Sequence, residues 1–154
     1  MRWILLCPLL LGLFGCGEPN APTEKKVIAV KPTDESRRFP TDGRDKLEFV
    51  DDHMLGKAFL PGGNVGTYSL PPKSKPYQQF LINAQTPQKA SILLLDYKNA
   101  LSNPKYLAHI GGYFGQDNGQ PVYVFAKDRF LAGFVGLTEE EAEPLARRFA
   151  VALF

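Results

Sequence analysis

The chain has 154 residues, 44% hydrophobic and 22% charged, with 18 basic against 16 acidic side chains and a formal net charge of +2. That supplies the apolar content of one packed domain, and the charge is too evenly balanced for the electrostatic footprint of a nucleic-acid binder. Two cysteines and two histidines leave little material for cysteine-based metal sites or thiol chemistry.

The first element in chain order is a charged start leading into a short apolar run, Arg2-Trp3-Ile4-Leu5-Leu6-Cys7-Pro8-Leu9-Leu10-Leu11-Gly12-Leu13-Phe14-Gly15-Cys16. A helix needs roughly 20 apolar residues to cross a hydrocarbon core of about 30 Å, so this run reads as a cleaved export signal. It resembles the signal peptide of bacterial lipoproteins, whose lipobox closes on a leucine, a middle residue, a small residue and the cysteine that is lipidated. The resemblance covers residues 1–16 and implies that residues 1–15 are removed, leaving Cys16 as an acylated N-terminus. Two or more acyl chains anchor stably where one is marginal, each buried methylene adding about 0.8 kcal/mol. Gly17 stands where an aspartate would favour inner-membrane retention, so the resemblance implies the outer membrane, facing the periplasm, in a host with two membranes. Cys7 leaves with the signal and the Cys16 sulfur is consumed by lipid, so the mature chain has no internal disulfide.

Residues 16–45 read as the lipidated cysteine and a flexible tether: Pro19, Pro22, Pro32 and Pro40 interrupt a polar stretch too poor in apolar residues to offset its ordering entropy. The short apolar run at 27–30 is the exception and is a candidate edge strand. Residues 46–154 form the single expected domain.

Within that domain a gapless repeat aligns Thr86 with Thr138, Ala90 with Ala142, Leu93 with Leu145, Leu94 with Ala146, Tyr97 with Phe149 and Leu101 with Leu153. Both copies carry helical apolar spacing. Thr86 with Pro87 makes an N-cap followed by proline at the first helical position, and Thr138 with Glu141 makes a capping box. Pro144 calls for a kink or for a helix that starts beside it. Asn103-Pro104 ends the first helix.

Strands are expected at 47–50, 78–84, 106–114, 122–126 and 130–136, with Asn118-Gly119 as a hairpin turn and Lys127-Asp128 as a tight return. The core order is then strand, helix, strand, strand, strand, helix. This predicts an α+β domain with a largely antiparallel sheet and both helices on one face, a variant of the ferredoxin-like plait.

Two glycine-rich segments are the candidate binding loops, Gly62-Gly63-Asn64 and Gly112-Tyr113-Phe114. Adjacent glycines admit close approach of another backbone, and an aromatic beside them is a plausible anchor for a protein, peptide or glycan. Neither matches a phosphate-binding fingerprint. If 106–114 is a strand, Tyr113 and Phe114 point to opposite faces. Asp51, Asp52 and His53, completed by His109, are the candidate metal or enzymatic set of a rival reading. Asp96, Glu140 and Glu143 read as helix-surface charges, and no serine sits in a nucleophile-elbow motif.

Together these features predict a membrane-anchored periplasmic or surface lipoprotein with a non-enzymatic binding or accessory domain, no cofactor, an envelope protein, peptide or glycan as partner, and no nucleic-acid role.

Overall fold

The protein is described here by a computed structural model covering residues 29–69 and 75–154. The elements are β1 (Arg44–Asp52), β2 (Pro61–Ser69), β3 (Pro76–Asn83), α1 (Pro87–Ala100), β4 (Ser102–Leu107), β5 (Gly112–Asp117), β6 (Gln120–Lys127), β7 (Phe130–Val135) and α2 (Glu139–Val151). The seven strands form one sheet in the order β1-β2-β3-β7-β6-β5-β4. Every pairing is antiparallel. The chain meanders through β1, β2 and β3 to the sheet centre, crosses on α1 to the far edge at β4, and meanders back until β7 closes against β3. The fold is therefore α+β with an antiparallel sheet.

The helices lie on opposite faces. Phe80 and Ile82 of β3, Val122 and Val124 of β6 and Leu131 of β7 pack with Ala90, Leu93, Leu94 and Tyr97 of α1. Their neighbours along the same strands, Tyr77, Leu81, Tyr123, Phe125, Ala132 and Phe134, pack with Ala142, Ala146 and Phe149 of α2. Successive strand residues face opposite ways, so three central strands serve two cores at once. This corrects the expectation of both helices on one face and, with it, the ferredoxin-like plait. The expected strand at 106–114 is also two strands, because the chain turns through 108–111 with Gly111 at φ +68°. Four strands, not three, separate the helices.

The 86–101 and 138–153 repeat is a likeness of helices. A two-fold axis normal to the sheet would relate the antiparallel neighbours β3 and β7 while keeping their helices on one face. Instead Ala84, leaving β3, is buried on the α1 side and Leu137, leaving β7, on the α2 side.

Both helix starts form as their sequences dictate. Lys89 N donates to Thr86 Oγ1 at 3.2 Å with Pro87 opening α1. Thr138 and Glu141 exchange both bonds of the capping box, at 2.9 and 3.3 Å. Helix α2 runs from Glu139 through Pro144 unbroken, so the alternative start near Pro144 does not hold. Asn118 (φ +49°) and Gly119 (φ +76°) form the β5–β6 hairpin with both central residues left-handed, a type I′ turn.

The edges carry their own protection. Strand β1 exposes Asp45, Lys46 and Glu48, and β4 carries Pro104 inside a register shift between Ser102 and Lys105.

The packed region begins earlier than residue 46. A turn of 3-10 helix at Ser36–Arg38 leads into Phe39, which is 4% exposed and 5.6 Å from the Phe149 ring. The last part of the expected tether thus covers the α2 face. Ala29 and Val30, the described part of the candidate edge strand, are not in the sheet.

Candidate functional site

The two glycine-rich segments are strands, not loops. Gly62 and Gly63 lie in β2, where a side chain on Gly62 would strike the Val50 and Asp51 carbonyls of β1 and one on Gly63 the Leu81 carbonyl of β3. Gly112 starts β5 and gives the same room to the Val124 carbonyl of β6. Their role is close strand approach. Asn64 is 1% exposed and belongs to the packing of the N-terminal segment: its Oδ1 accepts from Glu35 N at 2.7 Å and its Nδ2 donates to Asp34 Oδ1 at 3.0 Å. Tyr113 and Phe114 do face opposite sides, Tyr113 packing by Tyr106 on the α1 side and Phe114 against the α2-side core. Strands β2 and β5 are four steps apart in the sheet, about 19 Å, so the segments do not meet. Cys16 lies outside the described residues.

The candidate metal set is dispersed. His53 follows β1 in a left-handed conformation with Asp52 at 3.2 Å, whereas His109 sits in the β4–β5 turn beyond the other half of the sheet. Among the described residues no group of three or more metal-ligating side chains gathers.

His109 has a different partner. Its Nε2 lies 2.6 Å from Glu143 Oε2 on α2, the same oxygen that accepts the Tyr123 hydroxyl at 2.5 Å, and Arg147 Nε donates to Glu143 Oε1 at 2.5 Å. Burial opposes ionisation of Glu143, but the hydrogen bonds from Tyr123, Arg147 and His109 prevail and hold its carboxyl at about 2, below its usual 4.5. Burial and the bond to Glu143 push the Tyr123 hydroxyl up. Glu143 is therefore a buttress that ties the β4–β5 turn and β6 to α2, a role its place in a helical charge pattern conceals.

A cleft of about 590 Å³ opens on the α2 face between the second half of α2, the segment at 38–43 and the ends of β2 and β3. Its walls are aromatic: the Tyr68 and Tyr77 rings stack at 5.5 Å, and Phe39 and Phe149 face each other at 5.6 Å. One end is closed by Arg38, whose Nη1 donates to the Ala152 carbonyl and whose Nε pairs with Glu35, each at 2.8 Å. The Tyr68 hydroxyl donates to Pro40 O at 2.9 Å, holding the far wall. Burial raises the Tyr77 hydroxyl in spite of the nearby Arg148 charge, so it stays protonated and available as a donor.

Two donors in this cleft are uncommitted. Gln79, 3% exposed, has an Nε2 with no hydrogen-bond partner among the described residues, an arrangement that costs about 1–3 kcal/mol unless something outside the fold accepts from it. Arg148, projecting from the last turns of α2, makes no ion pair among the described residues. Gln78, its neighbour in β3, points the other way and lines a second recess of about 390 Å³ on the α1 face. There Lys57 Nζ and Asp117 Oδ1 pair at 2.6 Å, and the buried Tyr97 hydroxyl has no hydrogen-bond partner among the described residues and is raised by burial and by the Asp117 charge.

Sequence reasoning missed Tyr77, Gln79 and Arg148. The available signal was Gln78-Gln79, two adjacent amides ahead of the apolar run Phe80-Leu81-Ile82 of the same strand. The convergence of β3, the 38–43 segment and α2 around them is tertiary and leaves no local pattern. Comparison with protein-family models, curated proteins and solved structures finds no match to this chain.

Proposed function

We propose that this chain is a lipid-anchored protein of the bacterial envelope whose α+β domain is a non-enzymatic binding module, with the α2-face cleft as its binding site. The anchor is supported by the lipobox-like run ending at Cys16, and Gly17 after it favours the outer membrane facing the periplasm. No helix among the described residues is long and apolar enough to cross a membrane, so attachment through acyl chains on Cys16 is the route proposed. The proposed partner is an envelope protein, peptide or other envelope component.

The observation that carries the binding reading is the buried Gln79 Nε2, without a hydrogen-bond partner among the described residues, on a side chain that lines an aromatic cleft. Sites for small ligands and chain segments combine apolar walls with a few directed polar groups, and this cleft has that composition. Its lining combines ring faces with the side chains of Tyr77, Gln79 and Arg148 and the Asp42 carboxylate, a composition that suits recognition.

Anchoring is tested by mass spectrometry of the protein from its natural host and by fractionation of a Cys16→Ser variant. The proposal expects an acylated peptide beginning at Cys16 and release of the variant from the membrane. An intact N-terminus or an unmodified Cys16 thiol would overturn it.

A further inference from the structure

We propose that the α2-face cleft recognises an organic carboxylate carried on a flat or branched apolar group, with the Gln79 amide, the Tyr77 hydroxyl and the Arg148 guanidinium as its donors. This rests on the cleft being the binding site and adds the chemistry of its ligand.

All three groups carry hydrogens to donate, and the Arg148 guanidinium adds a positive charge. Gln79 Nε2 is buried with no hydrogen-bond partner among the described residues, and Tyr77 of β3 and Arg148 of α2 line the same cleft. A neutral carbonyl oxygen has two lone pairs and accepts from at most two of them, whereas a carboxylate has two oxygens, about four lone-pair sites and the charge that matches Arg148, enough for all three. Arg38 is partly engaged already, its charge paired with Glu35 and its Nη1 donating to the Ala152 carbonyl. Tyr68, Phe39 and Phe149 supply the surface against which the ligand's apolar body stacks. Asp42 on the facing segment sets a second condition: a ligand with another anionic group at that end is repelled, while a backbone N–H there is accepted. The volume of about 590 Å³ fits one large side chain with its terminus. The same chemistry is offered by the C-terminal residue of a polypeptide and by a free apolar acid.

The test is titration calorimetry on the full chain in detergent with N-acetyl-phenylalanine, its carboxamide, and a hexapeptide ending in phenylalanine as acid and as amide. The acids are expected to bind about tenfold or more tightly than the amides, and Arg148→Gln and Gln79→Leu are expected to remove that preference while circular dichroism stays unchanged. Tighter binding of the peptide acid than of N-acetyl-phenylalanine assigns the ligand to a polypeptide end, and equal binding assigns it to a small acid. Acids and amides bound equally, with both variants weakened, would overturn the carboxylate and leave the cleft as the site. Binding undiminished by either substitution, or no binding of any probe, would overturn the assignment of these donors.

Discussion

The Asn64 side chain of β2 and the backbone of Glu35 are joined by a 2.7 Å hydrogen bond across 29 residues of sequence. Glu35 then pairs with Arg38 and accepts from Asn83 of β3 at 2.7 Å, so two buried amides, Asn64 and Asn83, converge on the segment that forms a wall of the cleft. Replacing Asn64 with alanine leaves the Glu35 N–H and the Asp34 carboxylate short of a partner. The expected loss is about 1–3 kcal/mol in urea unfolding, with faster amide exchange at 35–39. An unchanged midpoint would show that the Phe39 packing and the bonds from Asn83, Arg38 and Tyr68 hold the segment without Asn64.

Glu143 predicts a dependence on acid. Its folded carboxyl is held at about 2 against the usual 4.5, so its contribution to stability is complete above 4.5 and is lost as the pH falls towards 2. The difference in unfolding free energy between the wild-type chain and Glu143→Gln should be constant above that window and close within it. Urea titrations at a series of pH values check this, and a gap that persists down to pH 2 would refute the assignment.

The Lys57 and Asp117 side chains are 17% and 12% exposed, which makes their 2.6 Å ion pair a largely buried one. Asp117→Asn strands the ammonium and should cost up to about 3–5 kcal/mol, whereas Lys57→Met with Asp117→Leu should recover most of it. Equal losses in the single and double variants would show that the position, not the charge pair, matters.

Gly133 of β7 lies against the Tyr123 carbonyl of β6 and the Phe80 ring, and an added Cβ would come within 2.4 Å of Tyr123 O and 2.7 Å of Phe80 Cε1. Gly133→Ala should cost about 1–3 kcal/mol or more in thermal unfolding, and Phe80→Leu in the same chain should return only the part due to the ring, leaving the clash with the backbone carbonyl. Strict additivity of the two would contradict the packing described.

The helices were legible because capping and apolar spacing are local: Thr86-Pro87 and Thr138 with Glu141 fix two starts, and Ala90, Leu94, Tyr97, Ala142, Ala146, Phe149 and Leu153 are all buried as their spacing predicts. The opposite placement of the helices had a signal that a count of elements passes over. Val122-Tyr123-Val124-Phe125 and Phe130-Leu131-Ala132 show no alternation of apolar with polar residues, and a strand covered on one face only should show it. The glycines misled for a related reason. Gly62, Gly63 and Gly112 look like loop residues, yet each makes room for a neighbouring strand's carbonyl, a use visible only once the register is known. The cleft was illegible because its parts come from β3, from a segment that reads as tether, and from the last turns of α2.

Recognition on the α2 face between Arg38 and Phe149 can be read by amide shift mapping with a fragment set of anionic, cationic and neutral aromatic compounds on isotope-labelled full chain. Fragments that bind should perturb residues 38–43, 77–79 and 145–152 together. Perturbations centred instead on the β4–β5 turn and Gly112, or on the Lys57 recess, would contradict recognition on the α2 face.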